Sequence, residues 1–162
     1  MKKHLLIFLI LPILMEGHSP QISTFAIVQD KDAHWTVHIS SSLSAFQYAL
    51  GNKTIMNEMA FQKELITALK KSIQIKSGLF NSIKLIDGQC HLGHQTDVKF
   101  SLLGMPQNST NLTIENRFFG KLHNHYMVLK VIDKQAESNQ FILNSDNEFK
   151  AVVKKDKDAI LI

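Results

Sequence analysis

Eight histidines lie in this chain of 162 residues, and all but His4 fall beyond an apolar run near the start. Histidine is the first residue type to examine, because a neutral imidazole binds metals and exchanges protons near neutral pH. His18 stands out by position. Cleavage after Gly17 would make it the first residue of the mature chain. Its free α-amine and its ring would then form a bidentate start to a metal site. Nitrogen-rich sites of tetragonal shape favour Cu(II). Such a site needs at least one more imidazole from elsewhere in the fold, and the sequence alone does not say which.

Two further groupings offer ligands. "CHLGH" supplies Cys90, His91 and His94. Zinc sites use four ligands at recognisable spacings, and no second cluster completes this set. On an extended chain, residues three apart face opposite sides, and Cys90 reads as a small buried apolar residue. "HNH" supplies His123 and His125. If extended, their backbones are about 7 Å apart with both rings on one face; the simpler reading is two exposed loop histidines. His34 and His38 share a face but lie about 13 Å apart along a strand. No nucleophile elbow, phosphate loop or H-E-x-x-H motif is present. Asp87, Asp97 and Glu115 are carboxylates that nothing in the sequence pairs with a base.

These residues must be carried by a fold, and the N-terminus says where that fold works. Lys2 and Lys3 precede an apolar run from Leu5 to Met15, with small Gly17 just beyond. The run is too short for a spanning helix, which needs about 20 residues, and it reads as a secretory signal peptide. The expected organisation is a signal over 1–17, one exported domain over 18–153 and a tail over 154–162. No spanning segment is expected after signal removal. The net charge of +4 is mild and the lysines are scattered, so nothing beyond a weak basic balance supports a nucleic-acid partner. The single cysteine excludes an internal disulfide. Export without disulfides suits a bacterial envelope protein, in the periplasm or outside the cell.

Periodicity gives the elements. "ISTFAIV" is strand-like, and "HWTVHIS" alternates, with Trp35, Val37 and Ile39 on one face and His34, Thr36 and His38 on the other. "QDKDA" links the two as a hairpin connection. Ser42 is a suitable cap for a short helix carrying Leu43, Phe46 and Leu50. Thr54 is the expected cap of a second helix reaching Lys71, with Ile55, Met59, Ile66 and Leu69 as its buried stripe. After "IQIKSG" the chain returns to strands. Val98, Phe100 and Leu102 share a face, "NRFFGKLHN" is a short helical or turn stretch, and "HYMVLKVI", apolar on both faces, is a central strand. "NQFILN" closes the sheet. The fold class is mainly β with helical insertions (α+β), an antiparallel sheet or β-sandwich-like single domain.

In this order the chain resembles a family of small exported bacterial proteins known as domain of unknown function 6702. Three stretches carry the likeness. The first is a histidine just past the signal with a serine five residues on, His18 and Ser23, leading into "TFAI". The second is "HISSSLSAFQYAL" with the longer helix and "LKKSIQIKSG" after it. The third is "LTIENRFFGKLHNHYMVLKV". The resemblance covers most of the mature chain. It departs where family members carry an acidic residue at Ala26 and an acidic cluster at Ser44, Ala45 and Gln47. The family has no established activity, so the resemblance implies export and fold rather than a mechanism.

The sequence thus points to an exported envelope protein that acts as a non-enzymatic binding or accessory domain for an envelope protein or surface partner. The alternative is copper binding or delivery through His18, with His91, His94, His123 and His125 as further candidate ligands. An exported hydrolase ranks third, since no nucleophile–base pair can be named.

Overall fold

The computed structural model describes residues 21–51, 54–78, 81–106 and 111–154. The expected signal peptide, His18 and most of the expected tail lie outside these residues.

Among the described residues nine strands form one mixed sheet. In chain order, β1 (Gln21–Gln29) and β2 (Trp35–Ser42) make the opening hairpin. They are followed by α1 (Leu43–Ala49), α2 (Glu58–Ser72), β3 (Ile73–Ser77), β4 (Asn81–His91), β5 (Gln95–Leu103) and β6 (Asn111–Asn116). The chain ends with β7 (His125–Ile132), β8 (Ser138–Leu143) and β9 (Lys150–Lys154). The order across the sheet is β8-β7-β1-β2-β5-β4-β3-β6-β9. The two edges, β8 and β9, are consecutive in sequence and meet near their connecting turn, so the sheet nearly closes on itself. The β-rich α+β expectation holds, in the form of one curled sheet rather than two stacked ones.

Every strand pair is antiparallel except β1 with β7. That pair sets Gln21 beside His125 and Ser23 beside Met127. As expected, β7 is interior, between β8 and β1. Its faces differ, however: His125, Met127, Leu129 and Val131 are buried, while Tyr126 and Lys130 are exposed. The sheet therefore has one covered face and one wet face, as in other largely antiparallel sheets.

Alternation decides what enters the core. Phe25 and Ile27 of β1, Trp35, Val37 and Ile39 of β2, and Val98 and Phe100 of β5 all point inward. His34 and His38 stay exposed. Burying a large apolar side chain of this kind contributes roughly 1.5–3 kcal/mol. Helix α2 adds Phe61, Leu65 and Leu69 to the same core. Of the expected stripe, Leu69 is fully buried and Ile55 and Ile66 pack partly buried against the core, but Met59 does not join them. Met59 is 79% exposed, because it lies two residues, about 200° of helical turn, from Phe61. The expected cap also shifts. Asn57 caps α2 through its Oδ1, which accepts the Ala60 N–H at 3.0 Å, so the cap lies three residues after Thr54. Ser42 caps α1 as expected, accepting from the Ala45 N–H at 3.2 Å.

A bulge seats α2 on the sheet. The register of β4 against β5 shifts between Ile86 and Gln89, leaving Asp87 and Gly88 opposite Phe100, with Asp87 at φ 48°. A Cβ on Gly88 would lie 2.6 Å from Ile66 Cγ2 and 2.8 Å from Phe100 Cε1. Gly88 is thus the gap through which helix and sheet side chains meet. Two short strands go beyond the sequence reading: β3, which continues straight from α2, and β9, which includes Lys154 from the expected tail.

Candidate functional site

The inward alternation of β1 and β2 does not stop at apolar residues. On β1 it runs Ser23, Phe25, Ile27, Gln29; on β2 it runs Trp35, Val37, Ile39, Ser41. At one end of the covered face this creates a polar row across four strands: His125, Ser23, Ser41 and Thr96. Ser23, Ser41 and His125 are each at most 2% exposed, and Thr96 is fully buried. Buried polar groups of this kind must be hydrogen-bonded. Ser23 Oγ donates to Ser41 Oγ at 2.8 Å and lies 2.8 Å from His125 Nε2. Thr96, register partner of Ser41, turns its hydroxyl to the Gly93 carbonyl at 2.9 Å.

The proton order follows from counting. A serine hydroxyl has one proton. With it given to Ser41, Ser23 accepts from the ring, so His125 is the Nε2–H tautomer and Nδ1 carries the lone pair. That Nδ1 is buried and has no partner among the described residues, a condition it shares with Trp35 Nε1. Burial pulls the His125 pKa down to about 4, so the ring is neutral at physiological pH.

Aromatic residues seal this end. Phe119 stacks on His125, with centroids 4.5 Å apart and planes 20° from parallel. Phe46 of α1 and Phe118 pack against Phe119 at 5.3 and 4.9 Å. Asn116 locks the approach: its Oδ1 accepts the Phe118 N–H and its Nδ2 reaches Met127 Sδ. The turn over 117–124 thereby holds Phe119 against the imidazole.

A serine hydroxyl 2.8 Å from an imidazole nitrogen has the spacing of a nucleophile and its base. Four features set this pair apart from such an arrangement. The hydroxyl proton is directed to Ser41. No carboxylate among the described residues orients Nδ1. A ring with a pKa near 4 is a weak base at neutral pH, and the hydroxyl is closed off from solvent.

The structure separates the other candidate ligands. His91 and His94 are exposed, at the end of β4 and in the following turn, where the His94 carbonyl accepts the Leu43 N–H at 3.2 Å. His123 is exposed and His125 buried, which corrects the reading of both as exposed loop residues. Asn124 adopts φ 54°, so the tripeptide is not extended and its rings do not share a face. Among the described residues none of these four histidines belongs to a group of three or more ligand side chains close enough to hold one ion. The group that does converge is Asp30, Asp32 and His34 in the first hairpin turn, with ligand atoms within 4.8 Å of one another, all exposed. His34 Nδ1 stands 3.5 Å from Asp30 Oδ2.

On the wet face, His38, His91, Asp97 and Lys99 line a depression of about 390 Å³ beside Cys90. Burial lowers the His38 pKa, and Lys99 adds to this while Asp97 opposes it. Burial, helped by Asp97, pushes the Cys90 thiol up to about 11, so it is protonated and unreactive at neutral pH.

Ser23 and Ser41 were the residues hardest to find from sequence. The signal was there: Ser41 continues the two-residue period of Trp35, Val37 and Ile39. In "SSS" it reads more readily as turn composition. No protein-family model matches the chain, and no curated protein is similar to it.

Proposed function

We propose that this is an exported envelope domain, periplasmic or extracellular, that works by binding a protein or surface partner rather than by catalysis. The observation behind this reading is the construction of the Ser23–His125 contact. The chain places a nucleophile beside a base, directs the proton to Ser41, sets no orienting acid among the described residues and closes the site with Phe119. Among the described residues no helix is long and apolar enough to cross a membrane. Export rests on the apolar run and Gly17 of the sequence. Fractionation of the native host, with N-terminal sequencing and intact mass, tests it. The expected product is an envelope protein starting at His18 with no turnover in a broad hydrolase screen. A cytoplasmic, uncleaved chain or Ser23-dependent turnover contradicts it.

One observation favours copper as a second reading. The strand that begins three residues after His18 runs parallel to β7 and sets Gln21 beside His125. Three residues span at most about 10 Å, and His125 offers an Nδ1 without a partner among the described residues, with its other nitrogen fixed by Ser23. Metal-binding histidines are commonly held in this way through the second ring nitrogen. In this reading His125 supplies the further imidazole that the His18 amine and ring require. Cu(II) titration tests it: one residue added before His18, or His125→Gln, should each weaken binding at least tenfold.

A further inference from the structure

We propose that residues 155–162 fold back on β9 and pair with its free edge as a further strand. The sheet order ends at β9, whose one strand neighbour among the described residues is β6. Antiparallel pairing leaves alternate residues of an edge strand with N–H and C=O aimed outward. The phase is fixed at the start of β9. The Phe149 C=O accepts the Asn116 N–H on the β6 side, and the Lys150 N–H turns the other way, to the Asn147 carbonyl at 3.0 Å. By alternation, Val152 and Lys154 present their N–H and C=O on the outer edge, where no described residue pairs with them. Val152 is half-buried, and sheltered backbone groups need partners. Along the same edge lies a cavity of about 100 Å³ lined by Asn147, Lys150, Ala151 and Val152.

The segment that follows β9 directly has the pattern to fill this edge. "KDKDAILI", residues 155–162, is a polar stretch of four residues followed by an apolar stretch of four. Four-residue loops are common in hairpins, and Asp favours their turns. A loop over 155–158 sets Lys154 opposite Ala159, Val153 opposite Ile160, Val152 opposite Leu161 and Ala151 opposite Ile162. Ala151 and Val153 are buried, so Ile160 and Ile162 would enter the core beside them, while Leu161 stays outside with Val152. Ile162 would lie against Ala151, the smallest side chain of β9, where the cavity is. The outward backbone groups of Val152 and Lys154 would bond those of Leu161 and Ala159. Because β8 and β9 do not pair, the new strand would occupy the seam of the nearly closed sheet. It would also deny that edge to strand exchange with other chains. A second copy of β9 fits worse. Antiparallel pairing centred on Val152 would set Lys150 against Lys154 of the partner subunit, and like charges directly opposite destabilise a strand pair.

The test uses the processed full-length protein with Cys90→Ala as background. Val152→Cys with Leu161→Cys would place two thiols across a hydrogen-bonded pair, with Cα atoms about 5.5 Å apart, inside disulfide reach. Val152→Cys with Ile160→Cys would place them on opposite faces of the sheet. The first pair should oxidise within one chain roughly a hundredfold faster than the second, because only its geometry suits the bond. Its disulfide should raise the thermal midpoint. A second measurement needs no new thiols. Hydrogen exchange at the Val152 amide should be protected in the full chain, and removing residues 155–162 should speed it roughly a hundredfold. Equal oxidation rates for the two pairs would overturn the proposal. So would disulfides that link two chains, or a Val152 amide that exchanges as fast with the segment as without it.

Discussion

Ser23 and His125 meet side chain to side chain, 2.8 Å apart, across the one parallel strand pair in the sheet. The pair is 102 residues apart in sequence. It ties the first described strand to the third from last, and its loss should be felt by the whole fold. Ser23→Ala would strand the buried Nε2–H without an acceptor. Leaving a buried polar group unsatisfied costs about 1–3 kcal/mol. The urea midpoint should fall accordingly at pH 7. An unchanged midpoint would show that the relay carries no stability.

The same ring makes stability depend on pH. His125 has its pKa lowered to about 4 in the folded state, against about 6.5 unfolded. Between those values the unfolded chain binds the proton and the folded chain does not. The contribution is therefore complete above about pH 6.5 and is lost as pH falls towards 4, on the order of 3 kcal/mol in all. Thermal midpoints measured from pH 7 to 4 should fall steeply for the native chain. His125→Phe, which keeps a ring against Phe119, should flatten that dependence. His38→Asn should keep most of it, because His38 is exposed. Equal slopes in the native and His125→Phe proteins would contradict the assignment.

Gly88 should tolerate no side chain. Alanine there would drive a methyl into Ile66 and Phe100, both held in the packed helix–sheet contact. Overpacking of this kind costs about 1–3 kcal/mol. Gly88→Ala should lower the thermal midpoint, and pairing it with Ile66→Ala, which removes the Cγ2 it would strike, should restore part of the loss. No effect of Gly88→Ala would mean that α2 does not sit over the bulge as described.

Two residues compete for the start of α2, and a pair of substitutions separates them. Asn57→Ala removes the side chain that accepts the Ala60 N–H and should cost about 1 kcal/mol. Thr54→Ala should cost nothing measurable by the same denaturation assay. The opposite order would return the cap to Thr54.

Local patterns in the sequence carried much of this fold. Trp35, Val37 and Ile39 alternate with His34, Thr36 and His38, and a period of two is enough to assign the faces. Ser42 follows a strand and precedes a helical spacing, so its cap was legible too. The helix at 58–72 was legible as a helix, and Ile66 and Leu69 of its stripe do face the core. Its first turn was not legible: Met59 fits the spacing, but the sheet beneath takes up Phe61 and Leu65 instead, and Ile55 precedes the helix. The pairing of β1 with β7 has no local signature, since it joins segments about a hundred residues apart. His125 was misread for that reason. In isolation "HNH" is polar and loop-like, and its third residue is buried only because β1 brings Ser23 to its ring. The short run "KAVVK" of β9 is charged at both ends, and its strand character comes from pairing with β6.

The most direct measurement asks whether Ser23 is a nucleophile. The processed protein is incubated at pH 7.5 with a fluorophosphonate, which phosphonylates activated serines, and the intact mass and modified peptide are read out. The account predicts no adduct on Ser23 in the folded protein, with the same result for Ser23→Ala. A stoichiometric adduct on Ser23 that disappears in the alanine variant would contradict it, and would make the buried pair an active site.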